Sequence, residues 1–361
     1  MSEQQAIAPY NDRPGLLVVL TLSVVGVFAF LQVYSVQSIL PELQRDLGAS
    51  VVEIGNAVGV TILAVALVSP LIGMLSDALG RKWLVVTCVF VLAVPTALMP
   101  LVETTRGLLI LRFLQGLAVP GVTVVTMAYI GEEFRGAAMV RIMTLYITGN
   151  VLGGFLGRFL LGHLTEIMAW RGAFAVMAVL NLAGGVLVWR VLPASRHFVA
   201  SRRLADNLHT FAGLLHDRAV QAPCALGFTV LFAQMGMFTF VNLHLAAAPY
   251  GFNSAQLANV FAVYLIGVVV TPLAGRVMPR LGMRRTMLAA VLLSALGVST
   301  TLLAPAAGII TGLLHTKGRI NGLLAGILTQ IALYSINLRI MGKANLPLLR
   351  ADTLLSGLRD Q

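Results

Sequence analysis

Two arginines within long apolar segments are the residues of this sequence best placed to do chemistry. Arg112 is followed one turn later by Gln115, and Arg158 ends the glycine-rich stretch that begins at Tyr146. A cation inside a bilayer is costly, so it usually faces a cavity or a partner on an ion or substrate pathway. The alternative is that each guanidinium lies near the end of its span and snorkels to the interface.

Polar and aromatic side chains also recur at helical spacing within three apolar segments. Polar groups in a bilayer face protein or water rather than lipid, so these stripes predict a substrate cavity. The alternative is hydrogen bonding between helices without any ligand contact. The cavity candidates are Phe28, Gln32, Tyr146, Asn150, Gln234, Phe238 and Asn242.

Covalent catalysis is not indicated. The histidines are dispersed, and no nucleophile–base pair or metal-ligand spacing stands out. Cys88 and Cys224 form no CxxC pair and no disulfide framework. We therefore expect neither an enzyme nor a bound metal or cofactor.

The composition requires a membrane around these residues. Of 361 residues, 58% are hydrophobic and 11% are charged. A soluble domain carries about 25% charged residues, so this chain cannot cover itself with a polar surface.

Apolar segments of membrane-spanning length follow one another with short polar connections. We therefore predict an all-α polytopic membrane protein, a helical bundle of about ten transmembrane helices. The predicted spans are residues 16–39, 54–76, 83–102, 107–130, 142–163, 172–192, 222–246, 257–278, 286–304 and 321–341.

The basic residues that give the net charge of +11 are distributed along the chain as a membrane topology predicts. Nucleic acid is excluded as a partner because the basic residues are scattered among the connections, with little aromatic interleaving. If the amino terminus is cytoplasmic, most basic residues before position 305 fall on inside loops, as the positive-inside rule requires. The exceptions are Arg45, Arg106 and Arg171.

The chain divides into two halves of unequal completeness. Residues 1–192 hold six spans, 193–220 form a polar cytoplasmic linker, and 221–305 hold only three more. The second span of each half ends in two glycines seven residues apart followed by basic residues, Gly73–Lys82 and Gly275–Arg285. Two six-helix halves related by such a repeat are typical of one class of transporter.

The segment Gly73-Met74-Leu75-Ser76-Asp77-Ala78-Leu79-Gly80-Arg81-Lys82 resembles the loop 2–3 signature of the major facilitator superfamily. Gly73 permits close helix approach, and Gly80 permits a tight turn. The resemblance implies a cytoplasmic gate, with Asp77 facing helix eleven and an arginine. The alternative is a loop that only sets topology through Arg81 and Lys82. The gating candidates are Gly73, Asp77, Gly80, Arg81 and Lys82.

Further motifs resemble the YnfM-like subgroup of bacterial inner-membrane facilitators, which is similar to drug/proton antiporters. They are the stretch Tyr146–Arg158 combined with Tyr129–Glu133, Trp170–Arg171 and Leu192–Phe198. Separately, Arg112–Gly116 resembles the superfamily's motif with a buried arginine linked to proton coupling. The resemblance implies proton coupling, with Arg112, Gln115 and Arg158 as candidates. It also implies efflux, although the proline usual in the antiporter motif is absent, which leaves the direction open.

After residue 305 the facilitator pattern stops. The stretch Gly312–Ile327, continued by Tyr334–Lys343, is similar to an ABC importer permease of the branched-chain amino acid type. This similarity covers residues 306–350. We therefore expect 306–361 to be an ABC-permease-like segment and tail, joined to an incomplete facilitator in an apparent chimera.

The sequence thus predicts a secondary transporter in the bacterial inner membrane. We expect a monomer with a small-molecule substrate, protons and the lipid bilayer as its partners. Two alternatives stay open: a truncated or chimeric membrane protein without transport activity, and an ABC permease fragment.

Overall fold

The computed structural model describes residues 15–195 and 216–266, with position 249 left out, and isolated positions at 213, 280–282, 285, 288–289 and 292. The predicted span 321–341, the tail 306–361, most of the span 286–304, residues 267–278 of the span 257–278 and most of the linker 193–220 lie outside these residues.

The described chain is a bundle of helices joined by short turns. Its elements are α1 Leu16–Ser35, a 3-10 turn Val36–Ile39, α2 Leu40–Asp46, α3 Val51–Leu79, α4 Arg81–Leu98, a 3-10 turn Met99–Leu101, α5 Thr105–Glu133, α6 Gly136–Val191, α7 Arg218–Ala246, α8 Ser254–Val260 and a 3-10 turn Phe261–Val263. Within the described ranges, six apolar helices are long enough to cross a membrane. The prediction of an all-α membrane protein is confirmed.

α6 contains two spans and bends between them. Met168 and Ala169 have non-helical dihedral angles, and Ala169 has φ 57° and ψ 165°. This break falls between the predicted spans 142–163 and 172–192. The first arm of α6 therefore runs to residue 167, and the second begins at Trp170.

Polar caps define the starts of the neighbouring helices. Ser50 Oγ accepts a hydrogen bond from Glu53 N at 3.2 Å, and Glu53 Oε2 accepts one from Ser50 N at 2.9 Å. This capping box fixes the start of α3. Thr104 Oγ1 accepts a hydrogen bond from Gly107 N at 3.2 Å and so caps the start of α5, without the reciprocal bond of a capping box.

Glycines bring the backbones of α1 and α6 into contact. A Cβ atom on Gly149, Gly153 or Gly157 would lie less than 3.0 Å from a main-chain oxygen of α1. Only a residue without a side chain fits at such positions. These three residues are spaced four apart, so they form one face of the first arm of α6.

The bundle has two opposite faces. The proximal face carries residues 77–82, 132–136 and 190–193, and the distal face carries residues 36–50, 99–104 and 163–171. Residues 15–195 form the first bundle, and residues 216–266 are the second-half segment.

The repeated glycine motif has the same backbone conformation at its second glycine in both halves. Gly80 and Gly282 have positive φ values of 94° and 78°.

Candidate functional site

Arg112 is fully buried between α5, α1 and α3. Its Nε donates to Ala57 O at 3.0 Å, and its Nη1 donates to Gln32 O at 3.0 Å and to Gln115 Oε1 at 2.6 Å. Its Nη2 donates to Val33 O. These four acceptors are neutral, so carbonyl and amide dipoles stabilise the charge. Because the guanidinium is enclosed by protein, the snorkelling alternative is wrong for Arg112.

Neighbouring polar groups fix the position of Arg112. Gln115 Nε2 donates to Thr96 Oγ1 of α4 at 2.9 Å, and Thr61 Oγ1 of α3 donates to Arg112 O at 3.1 Å. Gly116 packs against the main chain at Thr61, where a Cβ atom would not fit. Three helices are therefore joined to α5 around one buried cation.

Arg158 is a second fully buried cation, on the first arm of α6. Its Nε donates to Gln37 Oε1 at 2.8 Å, and its Nη2 donates to the same oxygen and to Tyr264 Oη at 3.4 Å. Its Nη1 donates to Gly154 O. Snorkelling is excluded here too, because no part of this side chain is exposed.

Aromatic rings surround the Arg158 guanidinium. Its central carbon lies 4.6 Å from the ring centroid of Tyr34, 4.5 Å from that of Phe261 and 4.6 Å from that of Tyr264. Such distances are those of cation–π contacts. Phe238 packs behind, with its ring centroid 5.1 Å from both Phe261 and Tyr264.

Gln37 connects this cluster to α7. Its side-chain oxygen accepts from Arg158, while its Nε2 donates to Thr239 Oγ1 at 3.3 Å. Its main-chain oxygen accepts from Asn242 Nδ2 at 2.6 Å. One residue of the 3-10 turn after α1 thus contacts both α6 and α7.

The candidates on α7 share one face, as their spacing predicts. Gln234, Phe238 and Asn242 are fully buried. Gln234 Nε2 donates to Tyr264 Oη at 2.9 Å. Gln234 Oε1 and Asn242 Oδ1 have no hydrogen-bond partner among the described residues. The structure therefore brings the α7 candidates and Arg158 into one cluster, whereas Arg112 and Gln115 form another.

The two candidates on α1 lie against the second arm of α6. Gln32 Nε2 donates to Met177 O at 3.2 Å. The Phe28 ring fills the space beside Gly184, where a Cβ atom would lie less than 3.0 Å from it. These contacts are the ones expected of helix packing, and a substrate contact for either residue stays a prediction.

Tyr146 and Asn150 also lie between helices. Tyr146 Oη donates to Thr123 O of α5 at 3.2 Å. With its amide turned so that nitrogen faces oxygen, Asn150 donates to Gly26 O at 3.2 Å. Both residues join the first arm of α6 to its neighbours in the first bundle.

The predicted gating motif spans the turn from α3 to α4. Gly80 has φ 94°, so the tight turn expected of it is confirmed. Arg81 is buried and donates from Nε to Glu132 Oε2 at 3.0 Å and from Nη2 to Glu132 Oε1 at 2.6 Å. The main chain of Asp77 lies in α3, and its side chain is outside the described part.

The remaining members of this motif make fewer contacts. Lys82 Nζ lies 5.9 Å from the ring centroid of Trp83. No described atom lies within 4 Å of the position that a Cβ atom on Gly73 would take. The described residues therefore do not supply the close helix approach that the sequence predicts at Gly73.

A third polar cluster ties the distal face of the first bundle together. Asp46 Oδ2 accepts from Trp170 Nε1 at 3.0 Å and from Arg171 Nη1 at 2.6 Å. Arg171 Nη2 donates to Val102 O at 3.0 Å, and its guanidinium carbon lies 4.2 Å from the Trp170 ring centroid. This cluster holds the bend in α6 against α2.

Residues 22–345 match the sequence family of the Major Facilitator Superfamily. The chain belongs to this superfamily. The match spans both halves and confirms the family indicated by the glycine motif at residues 73–82.

Known facilitators resemble the chain in sequence and in fold. It is 32% identical over 272 residues to the inner membrane transport protein YnfM of Escherichia coli (strain K12), covering 75% of this chain. The chain spans just under two thirds of that relative's length, 65%. A partially occluded inward-open structure of the xylose transporter XylE from E. coli matches with a TM-score of 0.64 and 15% identity, covering 91% of this chain and 87% of XylE.

A different kind of transport protein matches a short part of the chain. A tyrosine transport system permease protein of Clostridioides difficile (strain R20291) is 57% identical over 51 residues, which are 14% of this chain and 17% of that protein. This identity is higher and far more local than the identity to YnfM.

Several site residues of this facilitator were missed by sequence reasoning. Tyr34, Gln37, Phe261 and Tyr264 surround Arg158 but do not lie on the polar stripes used to find candidates. Gln37 sits in a 3-10 turn, outside the helical periodicity of α1. The sequence indicated these four residues only indirectly, because a buried arginine such as Arg158 must have partners.

Proposed function

We propose that this chain is a secondary active transporter that moves a small molecule across the bacterial inner membrane by alternating access. The observation that carries the proposal is a set of side-chain hydrogen bonds between the first bundle and the second-half segment. Gln37 donates to Thr239, and Arg158 donates to Tyr264. Facilitators work when two bundles rock around a central site. Side-chain contacts of this kind can break and re-form during that motion.

The transport is coupled to protons and runs in the direction of efflux, with the amino terminus in the cytoplasm and the protein acting as a monomer. Arg112, Gln115 and Arg158 take part in coupling, because ionisable residues within transmembrane segments mark ion pathways, and Gln115 is held by Arg112 at 2.6 Å. The gate at Gly73–Lys82 closes the cytoplasmic side. The Gln234, Phe238 and Asn242 face supports the predicted cavity, since two of its amide oxygens are buried without described partners.

Proteoliposomes that contain the full chain and an internal pH dye test this function. A panel of small metabolites and drug-like compounds is added one at a time, with empty liposomes as the control. The expected result is a protein-dependent change in internal pH with at least one compound. If a compound exchanges across the membrane without any pH change, proton coupling is wrong while transport stands.

Two alternatives compete with this function. One is a truncated or chimeric membrane protein without transport activity, and the other is an ABC permease fragment. We propose further that residues 306–350 derive from an ABC importer permease. The local 57% identity over 51 residues to the tyrosine transport system permease supports a permease-derived stretch, while the facilitator family match extends to residue 345. Failure of every compound in liposomes with correctly inserted protein would favour the inactive protein.

Mass spectrometry of the natural protein tests the junction. Trypsin cleaves after Arg285 and Lys317, and no lysine or arginine lies between them, so residues 286–317 form one peptide across the junction. Detection of this peptide shows a continuous chain. A different peptide following Arg285 would contradict the chimera.

A further inference from the structure

We propose that Arg158 latches the two halves of the transporter together at the distal face. The proposal rests on the transport function proposed above, because a latch matters only if the halves move apart. In this role Arg158 is a positioning residue: it sets how readily the distal face opens.

The contacts that Arg158 makes with described residues include members of both halves. Tyr34, Gln37 and Gly154 belong to the first bundle and stay beside Arg158 when the halves separate. Phe261 and Tyr264 belong to the second-half segment, and their ring centroids lie 4.5 and 4.6 Å from the guanidinium carbon. Opening of the distal face must remove these two rings.

Arginine suits such a latch for a physical reason. Its planar guanidinium stacks on rings and donates hydrogen bonds in its own plane at the same time, whereas a lysine ammonium cannot do both. Full burial strengthens the cation–π contacts, because water does not compete for the charge. The contacts are then exchanged for hydration when the face opens, so the latch is reversible.

Adjacent contacts place the latch within a longer seam. Beyond Arg158 toward the distal face, Gly162 lies against Ser254 O and Ala258, where a Cβ atom would not fit. Glu166 Oε1 then accepts a hydrogen bond from Ser254 N at 2.9 Å. From Arg158 to Glu166 the first arm of α6 therefore follows α8 and the residues just after it, and Arg158 is the inner end of that seam.

Arg171 provides a matched control inside the same protein. It too stacks on an aromatic ring, at 4.2 Å from Trp170, and it donates hydrogen bonds to Asp46 and Val102. All of these partners belong to the first bundle. Loss of Arg171 should therefore affect stability without changing the opening between halves.

Labelling of a cysteine at Ser38 tests the latch. Ser38 is fully buried, and its hydroxyl lies 3.3 Å from the Cβ position of Gly162, beside the seam. The background carries Cys88→Ala and Cys224→Ser, which remove the two cysteines of the chain. A membrane-impermeant fluorescent maleimide is applied to right-side-out and inverted vesicles, so the side that reaches Ser38→Cys is also identified.

In this Ser38→Cys background, a further Arg158→Lys or Phe261→Leu substitution should raise the labelling rate about tenfold, which corresponds to ~1.4 kcal/mol. Arg171→Lys should label like the background, because all of its named partners lie in the first bundle. Rates for Arg158→Lys and Phe261→Leu within about twofold of the background would overturn the proposal. An equal rise with Arg171→Lys would also overturn it, because the effect would then be general loosening.

The same experiment separates the latch from the proposed function. Labelling needs no substrate, so a rise with both latch variants supports the latch even when no compound in the panel is transported. If a compound is transported but labelling does not change, the latch is wrong and the transport function stands.

Discussion

Arg81 and Glu132 form a two-pronged ion pair that joins the start of α4 to the end of α5. The two N–O distances are 3.0 and 2.6 Å, and 8% of the Arg81 side chain and 25% of the Glu132 side chain are exposed. Planar groups paired in this way gain both energy and fixed geometry. Arg81 also donates to Ser76 Oγ, so the pair holds the end of α3 as well.

Removal of one partner of this pair should destabilise the protein. Arg81→Gln leaves a half-enclosed carboxylate, and we expect a loss of about 1.5–3 kcal/mol, the range for hydrogen bonds to charged groups. The exposed pair of Arg45 and Glu42, at 2.7 Å, is the control, and Arg45→Gln should cost about 0–1 kcal/mol. Thermal melting of the purified protein in detergent measures both. Equal decreases in melting temperature in the two variants would show that the buried pair stabilises the protein no more than the exposed pair does.

Substitution of Gly153 by alanine should separate α1 from α6. The added methyl group would lie less than 3.0 Å from main-chain atoms of Val27, which cannot move aside as a side chain could. We expect a loss of about 1–3 kcal/mol, as for other overpacked sites. At Gly59 no described atom lies within 4 Å, so Gly59→Ala should be neutral or slightly stabilising because alanine favours helix. Comparable melting temperatures for the two variants would argue against the tight contact.

Much of this fold follows from hydropathy. Spans of about 20 apolar residues are recognisable because the bilayer sets their length. The predicted boundaries differ from the helices by a few residues, as at 54–76 against Val51–Leu79, because caps such as Ser50 extend helices into polar sequence. The sequence separated the two arms of α6 as spans 142–163 and 172–192, but it predicted a longer connection between them. The connection is only two residues long, Met168 and Ala169.

The candidate site was predictable only where it follows helical spacing. Gln234, Phe238 and Asn242 were found because four-residue spacing places them on one face. The partners of Arg158 were not, since Gln37 lies 121 residues away and Tyr264 lies 106 residues away. No local pattern encodes contacts between distant helices. Burial of a charge predicts that partners exist, and the packing of whole helices decides which residues they are.

Arg112→Lys should abolish proton-coupled transport while leaving the charge in place. The guanidinium of Arg112 reaches oxygens on both α1 and α3, and the rigid fork that spans them has no equivalent in lysine. We expect about a hundredfold loss in the rate of proton flux, or ~2.8 kcal/mol. Thr96→Val, which removes the oxygen that Gln115 contacts at 2.9 Å, should give a smaller loss.

The internal pH dye in proteoliposomes measures the effect at Arg112, with counterflow of the same compound as the control. Counterflow does not require net proton movement, so it should persist in Arg112→Lys. Equal loss of counterflow and proton flux would assign Arg112 a structural role instead.

Ala169→Gly should stabilise the protein, although glycine usually weakens helices. Ala169 has φ 57° and ψ 165°, a backbone conformation that is nearly restricted to glycine and costs an alanine about 1–3 kcal/mol. Glycine removes that cost but adds conformational entropy to the unfolded chain, so the net gain should be about 1 kcal/mol. At Ala66, an exposed position within α3, the same change should instead cost about 1 kcal/mol. Opposite shifts in melting temperature would confirm that the bend between the arms of α6 is strained. Destabilisation of both variants to the same extent would show that residue 169 is an ordinary helical position.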